Sequence, residues 1–205
     1  MLDLGELALK QVRAAIGALD HEDPKAAAAI SRADEAIDAG EVDLDADIVS
    51  LLARRQPVAA DLRKVMATSR SITDIERIGD EAAKVGELIR EMVGSDGPMA
   101  NASLLRESRA LGRLAVECLE QALQATAAGD GAAAGLLMRR ESELDDEFQA
   151  GLRRLTTYVM EDQRNIGHLL HIVLINKSLE RIGEHACNLA EHLIYRLRGA
   201  DVRHS

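Results

Sequence analysis

Pairs of acidic residues four positions apart recur at matching places in the two halves of this chain. Glu76 precedes Asp80 in the first half and Glu180 precedes Glu184 in the second, so each pair lies on one face of a helix. Like charges at this spacing destabilise a helix by about 0.2–0.5 kcal/mol unless a cation offsets them. A metal ion is one such cation. An arginine is another, because one follows the first acid of each pair.

The number of acidic pairs is not informative by itself. The 205 residues include 35 acids, which chance alone would place in about six such pairs, and eight are present. Their placement carries the argument, because a further pair precedes the first in each half: Asp34 with Asp38, and Glu141 with Asp145. Each half could then present carboxylates from two helices to one another. The candidate metal ligands are Asp34, Asp38, Glu76, Asp80, Glu141, Asp145, Glu180 and Glu184. A solvated acidic stripe remains the alternative.

Oxygen ligands of this kind suit Mg²⁺, Ca²⁺, Mn²⁺ or ferric iron. A di-iron oxidase of the helical-bundle type would add a Glu-x-x-His motif, and the sequence contains none. His168 and His171 are one turn apart and could either share a metal or sit in the core. His185 and His192 lie on the second acidic helix, where a surface role or a sensing role is open.

The sequence shows no residues that suggest catalysis. It has no glycine-rich phosphate loop and no supported nucleophile and base arrangement. The net charge of −10 and the pI of about 5.1 argue against a nucleic-acid partner. Cys118 and Cys187 are too few for a disulfide framework, which indicates a reducing compartment. No leader pattern or membrane span is evident, so we expect a cytoplasmic protein that meets a membrane only through partners.

Hydrophobic periodicity predicts an all-α protein. Apolar residues make up 47% of the chain and aromatic residues 1%, as expected for aliphatic helix-on-helix packing. Breaks at Asp23-Pro24, Pro57, Gly94 to Pro98, Gly129 to Gly131 and Asp162 or Asn165 separate six helices, and Gly199 ends the last. We expect two tandem antiparallel three-helix bundles, over residues 1–95 and 96–205, that need not pack tightly together. The expected inward positions include Leu44, Ile48, Leu51, Leu62, Leu104, Leu137, Leu144, Phe148, Val159 and Leu197.

The two halves are related by internal duplication. The segment Ile75 to Glu87 and the segment Leu179 to Glu191 align at an offset of 104 positions and share the run Glu-Arg-Ile-Gly. The shared glycines, Gly79 and Gly183, fall on the inward sides of their helices. A small residue there would allow a close approach of backbones.

These motifs resemble those of the PhoU family of phosphate-signalling regulators. The resemblance rests on the duplicated Leu/Ile-Glu-Arg-Ile-Gly-Asp/Glu-x-Ala run and on three further segments: Gln56 to Arg63, Met160 to Arg164 and His192 to His204. It covers nearly the whole chain. It implies a pair of three-helix bundles that hold multinuclear metal clusters at the acidic pairs named above, with the metal open among iron, zinc, magnesium and manganese.

The sequence departs from the family pattern at three points. Glu184 replaces an aspartate and lengthens that ligand's reach by one methylene. The family's first helix begins earlier than the point matched by Leu4, so the first bundle is expected to lack part of a helix. Gly40 stands where the family favours an apolar residue, which is expected to loosen the first half.

The resemblance also implies a function. Family members act as non-enzymatic adaptors between the cytoplasmic ATPase of a phosphate-importing ABC transporter and a membrane sensor histidine kinase, and they repress phosphate-starvation genes when phosphate is plentiful. We therefore expect a metal-binding negative regulator that forms a homodimer. The alternative from the residues is a ferritin-like metal-dependent enzyme or metal-storage protein.

Overall fold

The computed structural model describes residues 1–94, 105–161 and 166–199, which form seven α-helices and one short 3-10 turn. The α-helices are α1 (Leu2–His21), α2 (Pro24–Arg55), α3 (Ala59–Gly94), α4 (Leu105–Ala128), α5 (Gly131–Leu137), α6 (Glu141–Glu161) and α7 (Ile166–Arg198). The boundary expected at Gly94 to Pro98, the helix start expected at Asp162 or Asn165, Leu104 and the side chain of Val159 lie outside the described part.

Aspartate caps set the start of the second helix in each half. Asp23 Oδ1 accepts hydrogen bonds from the backbone N–H groups of Lys25 at 2.9 Å and Ala26 at 3.2 Å, and Pro24 needs no such partner. Asp130 caps α5 in the same way. Gly199 ends α7 with a left-handed φ of 71° and donates its N–H to the carbonyl of Tyr195 at 2.9 Å. These predicted punctuation points are confirmed.

The helices form two tandem bundles, which confirms the predicted fold class. Helices α1 to α3 pack together, and so do α4 to α7. The expectation that the halves need not pack tightly is wrong, because the most extensive helix contact among described residues joins α3 to α7. Helix α1 also crosses α4, where a Cβ on Gly5 would lie 2.4 Å from Leu123 and one on Gly112 would lie 2.3 Å from Ile16. The buried side chains of both halves consequently form one core.

Two helices differ from the prediction. The single helix expected around Leu137 and Leu144 is divided into α5 and α6 by the 3-10 turn Met138–Arg140. A seven-residue spacing keeps both leucines buried on either side of the turn, so hydrophobic periodicity could not reveal it. Helix α3 begins at Ala59 rather than at Pro57, because Gln56 and Ala59 both take positive φ and turn the chain between α2 and α3.

The far ends of α2 and α3 are less buried than predicted. Leu51 is 41% exposed and Leu62 is 39% exposed, while Leu44 and Ile48 are only partly buried. Helix α1 spans 20 residues and α2 spans 32, so α1 cannot cover the whole length of α2. The predicted inward position Leu197 is likewise 48% exposed at the end of α7.

Gly40 does not loosen the first half as expected. A Cβ at Gly40 would lie 2.6 Å from Leu4 Cδ1, so the missing side chain makes room for a leucine that is 4% exposed. None of the described helices combines the length and the apolar character that crossing a membrane requires.

Candidate metal centre

Three carboxylates from two helices converge in the first half. Asp34 and Asp38 lie one turn apart on α2, Asp80 faces them from α3, and one oxygen of each lies within 4.8 Å of the other two. These residues are the one group of three or more potential ligands that the described part of the chain brings so close together. The structure thus brings together three of the four predicted residues. We name Asp34, Asp38, Glu76 and Asp80 the first-half site.

Glu76 adjoins these three carboxylates, one turn before Asp80 on α3. Its side chain is 16% exposed, and its Oε2 is buried without a hydrogen-bond partner in the structure. Arg77 Nε lies 3.3 Å from that oxygen but outside hydrogen-bonding geometry. Burial first, and then the charge of Asp80, raise the pKa of Glu76 to about 7. A cation would relieve both effects, because it would give the buried oxygen a partner and offset the neighbouring charge.

Asp34 is held by a side chain from a third helix. Gln11 on α1 donates from Nε2 to Asp34 Oδ1 at 3.0 Å and to the carbonyl of Ile30 at 3.2 Å. Burial raises the pKa of Asp34, the hydrogen bond from Gln11 lowers it, and the charge of Asp38 raises it. The net pKa lies above its ordinary value. The approach of α2 to α3 depends on Gly79, because a Cβ there would lie 2.8 Å from Asp34 Oδ1.

The predicted residues of the second half line one cavity of about 450 Å³ between α6 and α7. Glu141, Asp145, Glu180 and Glu184 all border it, and we name this set the second-half site. Burial first, and then the charge of Glu180, raise the pKa of Glu184 above its usual range. Gly183 allows the close approach predicted for it, since a Cβ there would lie 2.5 Å from Leu144 Cδ1.

Basic side chains offset the acids differently in the two halves. Arg77 Nη1 lies 3.4 Å from Asp80 Oδ2, and the Arg77 side chain is 54% exposed. An arginine therefore offsets part of the like charge of the acidic pair in the first half, as the sequence allowed. In the second half the corresponding Arg181 turns to Glu81 of α3 at 2.7 Å, and Lys177 pairs with Glu180 instead. Glu180 is only 5% exposed.

The first-half site fits a hard divalent or trivalent cation. All of its ligand atoms are carboxylate oxygens, three of them within reach of one ion, and one buried oxygen of Glu76 lacks a hydrogen-bond partner. The second-half site offers four carboxylates around an open cavity, but its ligand atoms are less closely gathered.

Sequence reasoning missed several residues near the first-half site. Glu41 continues the stripe of Asp34 and Asp38 along α2, and burial followed by the charge of Asp45 raises its pKa. The 4-3-4 spacing of these acids was the available signal. Gln11 gave no signal, because a lone glutamine on a mostly apolar helix face has no recognisable pattern.

The predicted histidines do not join a metal group among the described residues. His185 Nδ1 lies 2.8 Å from Asp74 Oδ1, and His192 Nε2 lies 2.7 Å from Asp74 Oδ2, across the contact of α3 with α7. His171 faces Glu91 of α3 at 3.4 Å, and His168 is buried. His171, His185 and His192 therefore belong to the contact between the halves.

The fold and the site together define a class of all-α tandem-bundle proteins that carry carboxylate groups at corresponding places in each repeat. The model of the PhoU domain matches residues 1–89 and 109–193. The chain belongs to the PhoU family.

Relatives named phosphate-specific transport system accessory protein PhoU, or its homolog, match the whole chain. The protein from Pseudomonas aeruginosa is 40% identical over 204 residues, covering 100% of this chain and 83% of the relative. The protein from Escherichia coli (strain K12) is 33% identical over 204 residues, covering 100% of this chain and 83% of the relative.

Solved structures agree with this assignment. The crystal structure of PhoU from Pseudomonas aeruginosa superposes with a TM-score of 0.92 at 39% identity and covers 97% of this chain and 94% of that one. The phosphate transport system regulatory protein PhoU from Streptococcus pneumoniae gives a TM-score of 0.88 at 26% identity, covering 98% of this chain and 93% of that one.

Proposed function

We propose that this chain is a non-enzymatic accessory protein of a phosphate-specific transport system that negatively regulates phosphate uptake and phosphate-starvation genes. The observation that carries the proposal is the full-length match to relatives named as accessory proteins of that system. The chain acts in the cytoplasm as an adaptor, and its partners are the ATPase subunit of a phosphate ABC transporter and a sensor histidine kinase. It works as a homodimer through helical docking surfaces.

The regulatory role is tested by deleting the gene and measuring phosphate-starvation transcripts in phosphate-rich medium. We expect these transcripts to rise, and the intact gene supplied in trans to repress them again. Transcripts that stay fully repressed after deletion would refute the proposal.

Affinity purification of the tagged chain at high and low phosphate tests the adaptor role, with the transporter ATPase and the kinase as the expected partners.

The regulator also binds metal ions through the two acidic sites. The support comes from the three convergent carboxylates and from the buried oxygen of Glu76 that has no hydrogen-bond partner. A bound cation would offset the like charges where α2 meets α3, so that it would hold these helices together. The chain's own part is to place the oxygen ligands, and the metal stays open among iron, zinc, magnesium and manganese.

Elemental analysis of protein purified without chelator tests metal binding. We expect metal in the wild type and its loss from the first-half site in the double variant Asp38→Asn with Asp80→Asn. Asp43→Asn with Asp47→Asn is the control, because it also neutralises two acids, both exposed on α2 and outside the first-half site. Equal metal in all three proteins would refute these ligands. The pair Glu180→Gln with Glu184→Gln tests the second-half site separately.

The alternative, a ferritin-like enzyme or storage protein, makes a different prediction. It requires ferroxidase or phosphatase turnover, or iron loading, that Asp80→Ala abolishes. Under the adaptor proposal, we expect Asp80→Ala to lower the metal content without abolishing any enzymatic activity.

A further inference from the structure

Gln11 is a buried amide on an otherwise apolar part of α1. It is 3% exposed, and its neighbours at the inward positions Ala8, Leu9, Val12 and Ala15 are all apolar. A buried polar side chain is retained at little cost only when it is hydrogen-bonded. Gln11 meets that condition on one side, through the two hydrogen bonds that its Nε2 donates.

Its acceptors fix the orientation of the amide. The carbonyl of Ile30 and the carboxylate of Asp34 both only accept, so the nitrogen must face them. The amide oxygen Oε1 then lies beside Gly79, where it is buried without a hydrogen-bond partner. Gln11 is thus wedged at the junction of α1, α2 and α3.

The hydrogen bond from Gln11 constrains how Asp34 can meet a cation. Asp34 Oδ1 receives the amide N–H, and the described residues give no donor to Oδ2. The hydrogen bond from α1 therefore restricts the rotation of the Asp34 carboxylate, which shares the three-carboxylate group with Asp38 and Asp80. Groups that orient a metal ligand in this way affect metal affinity even though they do not touch the ion.

The second half lacks an equivalent amide. Gly5 of α1 and Gly112 of α4 correspond, because each receives a side chain of the other helix at the same crossing. Gly5 and Gly112 are 107 positions apart in the sequence. The same offset relates Asp34 to Glu141, and it makes Cys118 the position in the second half that corresponds to Gln11. Cys118 is fully buried and its thiol is a weak donor.

We propose that Gln11 is a positioning residue of the first-half site: its amide holds Asp34 in the orientation that binds a cation, and only the first-half site has this support. The inference rests on the proposed metal binding and names which residue tunes it. Because only the first-half site has the support of Gln11, the two sites have different affinities for a cation although each contains four carboxylates.

The experiment is a titration of the chelated, full-length chain with Mn²⁺, measured by calorimetry. Glu180→Gln and Glu184→Gln are present in every sample, so that only the first-half site is read. Gln11→Met keeps the length of the side chain and removes the donor, and we expect Mn²⁺ affinity to fall roughly ten-fold. Gln11→Asn keeps an amide that is one methylene too short, and we expect the same direction of change.

Two controls separate positioning from folding. Leu9→Ala creates a cavity on the same helix without touching Asp34, so we expect a lower Tm with Mn²⁺ affinity within two-fold of the parent. Cys118→Ser changes the corresponding position of the second half and should also leave the affinity of the first-half site unchanged.

The outcomes are distinct. If the parent binds Mn²⁺ and Gln11→Met binds it within two-fold, the positioning role is wrong while metal binding stands. An equal loss in Leu9→Ala would assign the effect to helix stability and also overturn the proposal. Absence of Mn²⁺ binding in the parent would overturn the metal-binding proposal and this inference together.

Discussion

Glu76 differs from the other acids of the first-half site because a buried oxygen of its carboxylate has no hydrogen-bond partner. Its spacing from Asp80 was readable from the sequence, but its burial was not. Burial depends on how closely α2 approaches α3, and glycines at their contact, Gly79 and Gly86, leave room for that approach. The raised pKa of Glu76 follows from this tertiary contact.

The metal-free protein should therefore lose stability as pH rises through neutrality. Because the pKa of Glu76 increases from 4.5 to about 7 on folding, its contribution is fully present below about pH 4.5 and is lost as pH rises through about 7. Thermal melts in chelator from pH 5 to pH 8 measure this loss. We expect Glu76→Gln to flatten the pH dependence and Asp43→Asn to leave it unchanged. An equally steep dependence in Glu76→Gln would contradict the assignment.

Small residues determine how closely the helices pack. Gly86 on α3 faces the backbone of α2, where a Cβ would lie 2.9 Å from the carbonyl oxygen of Ala27 and 3.3 Å from Ile30 Cβ. Backbone atoms cannot move aside as a flexible side chain can, so α2 and α3 would have to separate. Gly17 on α1 has no atom within 4 Å of its Cβ position.

The same substitution should therefore act in opposite directions at these two glycines. Gly86→Ala is expected to destabilise the fold by about 1–3 kcal/mol through overpacking. Gly17→Ala is expected to stabilise it by roughly 0.5–1 kcal/mol, because alanine has the higher helix propensity. Urea denaturation of both variants measures the free energy of unfolding. A gain in stability for Gly86→Ala would show that α2 and α3 are not in backbone contact.

At the scale of the molecule, a buried polar group joins the two halves. Asp74 of α3 accepts hydrogen bonds from His185, Asn188 and His192 of α7, at 2.8, 3.0 and 2.7 Å. Burial raises the pKa of Asp74, but the three hydrogen bonds lower it by more than burial raises it. The pKa of Asp74 therefore lies well below its usual range. The ionised carboxylate only accepts, and both imidazoles must donate. This group fixes the register of α3 against α7.

Removing Asp74 should weaken the whole molecule. Asp74→Ala leaves the buried imidazole of His192, the partly buried imidazole of His185 and the amide of Asn188 without their acceptor, and we expect a loss of about 3 kcal/mol in the free energy of unfolding. Asp61→Ala is the control: Asp61 is 74% exposed in its pair with Lys64, and its removal should cost less than about 1 kcal/mol. Equal effects of the two variants would mean that the contact between the halves does not depend on Asp74.

The sequence by itself determined the all-helical class, the breaks at Asp23-Pro24, Gly129 to Gly131 and Gly199, the duplication and the family. These features are local or repeated. Asp23 caps the residues that follow it, and the hydrophobic periodicity of α3 and α7 can be recognised within each segment of the sequence. The acidic pairs were also visible, because four residues make one helical turn. Three of the four acids proposed for the first half do lie together.

Only the tertiary structure decided which side chains meet across helices. Gln11 and Asp34 are 23 residues apart, and Asp74 and His192 are 118 apart, so no spacing rule links them. The 3-10 turn before Glu141 and the exposed ends of α2 and α3 depend on which neighbour is present, not on the residues' own propensities. The sequence therefore places the carboxylates on their helices, whereas helix packing determines which of them become buried, oriented and close enough to share a cation.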